Sequence, residues 1–411
     1  MIASLERPVV PAPSPRQVLA DFGPIYAANG FIGFVFAATG PVAIILSVGT
    51  SGGLSPAELA SWIFGVFFIN GLITVAMSWR YRQPLAFFWT IPGTVLVGPS
   101  LQHLSFPEVI GAFYATSILI LALGASGLVK RAMMAVPMPI VMGMVAGVFL
   151  RFGLDLVRAL HSDVAIAAPM VLTFLLLSAM PALGRRMPPL IGALLIGALV
   201  VIALGRIDAS ALGSFQLVRP IVHAPVWSLA AMIELVVPLA ITVLVVQNGQ
   251  GFAVLQAAGH HPPVNTTTVV CGIGAFFSAI VGAVSSCLTG PTNALITSSG
   301  ERERHYTGAI FTGLLAIVFG LLAPAFTGLM LAAPKAYIMV LGGLAMLRVL
   351  QASFVASFKD RFTLGALISF LVTVADLAVL NIGAAFWGLV AGFAVSWLLE
   401  KRDFVMPADA S

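Results

Sequence analysis

Three short polar stretches in an otherwise apolar chain carry the groups able to hold a ligand. They are Gly290-Pro291-Thr292-Asn293 within Ser285–Thr297, Thr90-Ile91-Pro92-Gly93-Thr94, and Gln247-Asn248-Gly249-Gln250-Gly251. Their amides and hydroxyls can donate to a carboxylate or order a water. Gly290-Pro291 reads as a helix start, because proline there brings a pre-set φ and lacks an N–H that would be orphaned anyway. A second short helix is expected to start near Gly93, facing the first. Each helix start carries unsatisfied N–H groups and about half a positive charge, which favours an anion. None of the three stretches contains an acid. The field therefore stays positive, and an anionic ligand is expected.

The elements that hold these groups must be membrane helices. Of the 411 residues, 60% are apolar and 9% charged, with mean hydropathy +1.06, and no segment is polar enough to form a soluble domain. The fold class is an all-α polytopic membrane protein with the lipid bilayer as its solvent. Forty glycines and 26 prolines suit helices that pack closely and break in places. A net charge of +5 would suggest nucleic acid in a soluble chain, but here it points to basic cytoplasmic loops and no nucleic-acid partner. Cys271 and Cys287 lie in apolar surroundings, so no disulfide framework is indicated. No P-loop, GxSxG or HExxH pattern occurs, so neither an ATP-driven pump, an intramembrane enzyme nor a cofactor is expected. His260-His261-Pro262-Pro263 reads as a turn, not a metal site, and Glu301-Arg302-Glu303-Arg304 as a solvated charge run.

Hydropathy and punctuation divide the chain into 14 segments: 25–48, 57–79, 85–102, 107–129, 136–157, 164–182, 188–205, 228–255, 264–283, 286–299, 306–328, 334–353, 362–379 and 382–399. Segments three and ten are polar and too short to span alone. They are read as broken half-helices, tolerated only beside protein or a water-filled cavity. Counting both as crossings puts Arg7, Arg16, Arg80, Arg82, Lys130, Arg131, Arg185, Arg186, Arg302, Arg304, Lys359, Arg361, Lys401 and Arg402 on one side. Only Arg158, Arg206, Arg219 and Lys335 fall opposite. The basic side is cytoplasmic, which makes residues 1–24 and 401–411 cytoplasmic tails and 206–227 an extracytoplasmic loop in a bacterial inner membrane.

A shift of 197 residues brings Pro41-Val42-Ala43-Ile44 onto Pro238-Leu239-Ala240-Ile241, Gly93 onto Gly290, Pro137 onto Pro334 and Leu150-Arg151 onto Leu347-Arg348. Seven segments separate the equivalents. An odd number inverts the second half in the membrane, the plan of secondary transporters.

Ionisable groups inside spans are costly and face the bundle interior or a cavity. Glu234 is the expected proton carrier, since burial favours the neutral form of a carboxylate. Arg151, Arg348 and Asp376 are candidate gate charges, with an i,i+4 pair open to Arg151 and Asp155. Phe87, Phe88 and Trp89, with Phe31, Phe34 and Phe36, could wall an aromatic ring, and Thr39 is a further candidate contact. The competing reading of the amides is interhelical hydrogen bonding, and that of the arginines is snorkelling.

Trp89-Thr90-Ile91-Pro92-Gly93 resembles the W-[ST]-x-P-G signature of the benzoate:proton symporter family. Gln247-Asn248 with Gly251-Phe252-Ala253-Val254-Leu255 resembles its Q-N-x-x-G-F-A-V-L stretch, and Gly290-Pro291-Thr292-Asn293 its polar half-helix. The resemblance covers nearly the whole chain. It implies the seven-plus-seven inverted-repeat fold of nucleobase and anion transporters. The core domain would be 25–130 and 228–330, and the gate domain 131–205 and 331–400. The implied activity is proton-coupled import of benzoate or a similar small organic anion, with a homodimer formed through the gate in some relatives. Nucleobase relatives place acids where Gln247 and Thr292 stand, and an Asn where Asn293 stands. Losing both acids agrees with an anion site but removes the obvious proton carrier. An uncoupled anion channel, or transport of a nucleobase or inorganic anion, is the alternative.

Overall fold

The computed structural model describes residues 5–129, 137–180, 187–208, 216–298, 300–377, 379 and 384–404. The basic residues Lys130, Arg131, Arg185 and Arg186 lie outside them. Among the described residues seven helical stretches, with Pro24–Ser51 taken as one, are long and apolar enough to cross a membrane, and shorter apolar helices stand between and after them. The chain is a polytopic, mostly helical membrane protein.

In chain order the helices are α1 (Pro15–Asp21), α2 (Pro24–Ala38), α3 (Gly40–Ser51), α4 (Pro56–Tyr81), α5 (Ile91–Ser100), α6 (Phe106–Ser126), α7 (Met138–Ser162), α8 (Val164–Ala179) and α9 (Pro189–Ala203). There follow α10 (Leu229–Ala257), α11 (Val264–Ile280), α12 (Gly290–Ile296), α13 (His305–Leu321), α14 (Ala323–Leu331), α15 (Lys335–Phe358), α16 (Thr363–Ala375) and α17 (Ala384–Leu399). Strand β1 (Phe87–Trp89) precedes α5, and β2 (Ser286–Leu288) precedes α12. Helices α7 to α9 and α15 to α17 pack on one another, and the rest of the chain forms the other group.

The first segment, read as one span, is broken at Thr39, whose φ of −104° and ψ of −97° interrupt the helix. Pro41 favours a new start there. Gly40 permits it, because a Cβ at that position would lie 2.2 Å from the Ala345 side chain on α15. The break is what lets the two groups of helices touch closely.

Segments three and ten differ from the expected broken helices. Each is an extended strand followed by a short helix. The strands pair antiparallel, Phe87 with Leu288, Phe88 with Cys287 and Trp89 with Ser286. Thr90 N–H donates to Ser285 O at 3.1 Å, and Thr289 N–H to Ala86 O at 3.1 Å, extending the ladder at both ends. Pro84 and Pro92 bound the first strand, and Gly282, at φ 74°, and Pro291 the second. The aromatic run Phe87-Phe88-Trp89 suits extended backbone. Phe87 to Ser286 is an offset of 199 residues, and so is Ile91 to Gly290, two more than the 197 that pairs Gly93 with Gly290. Gly93 is the third residue of its helix and Gly290 the first, so the two glycines are not equivalent in place. Proline occupies the second position of both helices.

A two-stranded ribbon leaves two rows of backbone groups unpaired, and no water is available to them at this depth. Side chains complete it. Thr74 Oγ1 accepts from Phe87 N–H at 2.8 Å, Ser78 Oγ from Leu85 N–H at 3.1 Å, and Asn248 Oδ1 from Leu288 N–H at 2.8 Å. Asn293 brackets Ala86, accepting from its N–H at 3.0 Å and donating to its carbonyl at 3.1 Å.

Residues 5–22 lie against the end of the bundle that carries Arg82 and Arg304. Glu6 accepts from the N–H groups of Asn265 and Thr266, both at 2.9 Å, capping α11. Burial works to raise the Glu6 carboxyl, but the hydrogen bonds from Asn265 and Thr266 together hold it below the usual range. Asp21 accepts from the Tyr306 hydroxyl at 2.6 Å and pairs with Arg82 at 3.4 Å.

His260 does form a turn at this end, and its ring is buried with Nε2 3.2 Å from His305 Nδ1. Burial first, then the neighbouring His305, lowers its pKa to about 4. An unfolded histidine takes up a proton near 6.5, so below that pH the unfolded state binds a proton that the folded state refuses. The melting temperature is expected to fall from pH 6.5 towards 4, and thermal melts of His260→Asn should show a shallower fall.

Candidate functional site

Gln247 and Asn248 lie in a π-helical turn of α10 spanning Thr242–Asn248. Such turns are uncommon and recur at functional sites, because the extra residue re-aims the side chains around it. A second π-turn of the same helix, Met232–Val236, holds Glu234. Both positions singled out on this helix thus sit where its regular ladder is interrupted.

The structure gives the polar residues different tasks. Asn293 is spent on the ribbon backbone, and Asn248 accepts from Leu288 N–H and donates to Cys271 Sγ at 3.7 Å, so neither amide is free for a ligand as expected from sequence. Thr90 caps α5, its Oγ1 accepting from Gly93 N–H at 3.1 Å and donating to Thr242 Oγ1 at 2.9 Å. Thr94 donates to Thr90 O at 3.0 Å, and Thr39 to Phe36 O at 3.2 Å. With Pro92 lacking an N–H and Gly93 capped, the start of α5 has little left to offer an anion. The expected symmetric cradle is therefore lopsided.

The α12 side remains open. Thr289 makes no side-chain cap, and among the described residues the N–H groups of Gly290 and Thr292 have no acceptor. The side chains of Thr292 and Gln247 also form no hydrogen bond there, although both residues are buried. At the other end of the ribbon, beside the start of α5, the indole N–H of Trp89 and the hydroxyls of Ser285 and Ser286 are buried without a partner among the described residues. Buried polar groups are normally paired, so the unpaired ones at the two ends of the ribbon are the groups there that remain open to a partner. Gly33 on α2 faces it closely, since a Cβ there would lie 3.2 Å from the Thr292 methyl.

The aromatic residues are mostly engaged with each other. Phe67 packs against Phe88 at 5.5 Å, Trp89 at 5.1 Å and Phe319 at 4.4 Å, and Phe34 joins them at 6.3 Å from Phe67. Phe87 is fully buried, Phe36 half-buried and Phe31 half exposed.

The chain matches the family of benzoate membrane transport proteins over residues 20–398. It belongs to that family. Among curated relatives it is 31% identical to the inner membrane protein YdcO of Escherichia coli, covering 91% of this chain and 96% of that protein. It is 27% identical to the benzoate membrane transport protein of Acinetobacter baylyi, covering 90% and 94%. Solved structures of similar fold include the transmembrane domain of the cyanobacterial bicarbonate transporter BicA, with a TM-score of 0.58 at 17% identity, covering 89% of this chain and 97% of that one. SLC26A9 gives a TM-score of 0.63 at 15% identity, covering 90% and 64%. This member of the benzoate transport family is a membrane transporter on an SLC26-like fold.

The remaining ionisable residues gather elsewhere. Glu234 is buried, with Ser100 donating to Oε1 in a short hydrogen bond and His103 Nε2 2.9 Å from Oε2. These partners sit at and just beyond the last turn of α5, a placement that the sequence signals only through a serine and a histidine three residues apart. Glu234, Arg151 and Asp376 border a cavity of about 590 Å³ between the two groups of helices. Arg348 does not border it; its side chain is exposed and donates to Gln351 at 3.0 Å. Asp155, expected to pair with Arg151, pairs with Arg158 at 3.0 Å. Asp376 ends α16 in a left-handed conformation and lies exposed, not within a span. Among the described residues no three His, Cys, Asp or Glu are grouped to hold a metal.

Proposed function

We propose that this protein imports benzoate or a similar aromatic carboxylate across the bacterial inner membrane together with a proton. The carboxylate sits at the start of α12, taking the N–H groups of Gly290 and Thr292, the Thr292 hydroxyl and the Gln247 amide. The observation that carries this reading is that the Gly290 and Thr292 N–H groups and the buried Thr292 and Gln247 side chains have no hydrogen-bond partner among the described residues, with no acid at either side-chain position. A monoanion entering it gains several donors at once and meets no like charge. The ring of the acid lies against the ribbon aromatics.

The helices α2 to α6 and α10 to α14 act as the core and α7 to α9 with α15 to α17 as the gate, in two inverted seven-segment halves with both termini cytoplasmic. Movement of core against gate exposes the site to each side in turn. Glu234 carries the proton. Its partner Ser100 ends α5, a helix of ten residues and therefore about 15 Å long, so the proton sits roughly a helix length from the ribbon. That separation also supports a second reading, an uncoupled facilitator. Accumulation of benzoate against its gradient, abolished by a protonophore, separates the two.

Gln247→Ala tests the site. A hydrogen bond to a charged group contributes about 1.5–3 kcal/mol, so the variant is expected to lose roughly ten- to hundredfold in benzoate affinity. Calorimetric titration of the purified protein measures it. Unchanged affinity in both Gln247→Ala and Thr292→Val would move the site elsewhere.

A further inference from the structure

The cavity between α5 and α7 is apart from the ribbon, and none of Gln247, Asn248, Thr292 or Asn293 lines it. Val95 and Leu96 face it from α5, Val148, Arg151 and Phe152 from α7, and Phe386 from α17. On α7 the spacing of Val148, Arg151 and Phe152 sets a guanidinium inside an apolar stripe. Asp155 is occupied by Arg158, and no other ion pair or hydrogen bond reaches Arg151 among the described residues. Of the other charges on the lining, Arg158 is held by Asp155, and both Glu234 oxygens are engaged by Ser100 and His103. Asp376 is the lining group that would compete for Arg151 when no ligand is present.

A wall that combines apolar side chains with an unpaired, planar cation, and with the hydroxyl residues Ser47, Ser51 and Thr373 beside them, has the chemistry of an aromatic acid's counterpart, ring on one part and carboxylate on the other. We infer that this cavity is a second binding site for an aromatic carboxylate, a vestibule in which Arg151 holds the anion before it reaches the ribbon. Gln102 on the lining donates to Ser51 O just before the start of α4, the far end of that span from Arg82. With the basic end cytoplasmic, that is the side from which an importer loads. The inference rests on the proposed import of an aromatic carboxylate.

Both native cysteines are buried, so a single cysteine in the cavity can report on it. In Leu154→Cys, benzoate is expected to slow labelling by a membrane-impermeant maleimide several-fold. It should do so equally with Gln247→Ala added, and not with Arg151→Ala added. Arg151→Ala alone should raise the KM of uptake about tenfold, the loss of one charge-assisted contact, with kcat kept. Protection that disappears in the Gln247→Ala background, or persists without Arg151, overturns the vestibule. Equal protection by sulfate overturns the aromatic carboxylate as its ligand. Failure of transport in Gln247→Ala with protection intact bears on the ribbon site alone.

Discussion

Asn293→Ala is expected to destabilise the protein by about 2–5 kcal/mol, the cost of leaving two buried backbone groups and a shared carbonyl without their amide partner. The side chain reaches across the bundle to Ala86, accepting from its N–H and donating to its carbonyl, and also donates to Thr289 O at 2.6 Å. The Ala86 N–H has no second acceptor among the described residues. With it unpaired, the first strand loses its anchor to α12, and the ribbon that sets both short helices loosens. Asn293→Asp keeps the acceptor, removes both donations and buries a charge, so it should be at least as costly. Thermal melts in detergent measure both. Because the role is structural, weakened benzoate binding should accompany the lowered melting temperature in each variant. A variant that melts like the wild type would show that the ribbon does not depend on this bracket.

Glu234→Gln is expected to abolish uphill uptake while sparing downhill flux. Glutamine keeps the shape and the hydrogen bond to Ser100 but carries no exchangeable proton. Coupling to one proton across a gradient of one pH unit supplies about 1.4 kcal/mol, enough for roughly tenfold accumulation. In proteoliposomes the variant should equilibrate benzoate and not concentrate it, with its exchange rate little changed. Undiminished accumulation would remove Glu234 as carrier. Weakened exchange with accumulation kept would make it a structural partner of Ser100 and His103.

Much of the site was legible because it is local. Gly290-Pro291 starts a short helix as proline chemistry requires, Pro92 takes the same second position in α5, and the three motifs lead to the family that the chain matches. The extended strands were not legible. Six residues of ribbon exist only because two segments far apart in sequence lie side by side, and neither shows a strand's period by itself. The π-turns around Gln247 and Glu234 were hidden for the same reason, since an extra residue in a helical turn leaves the apolar pattern almost unchanged. Asp155 could have reached Arg151 or Arg158 on one helix face, and local spacing does not choose between them.

Composition alone determined a helical membrane protein, because so little of the chain can face water. The absence of acids at Gln247 and Thr292 was also plain from sequence. Tertiary structure decided which polar groups remain free to bind. Asn248 and Asn293 look as available as Gln247 in the sequence, yet the ribbon consumes them. In a medium without water every exposed backbone group must be paid by some side chain. Which side chain that is depends on contacts across more than two hundred residues, 207 in the case of Asn293 and Ala86.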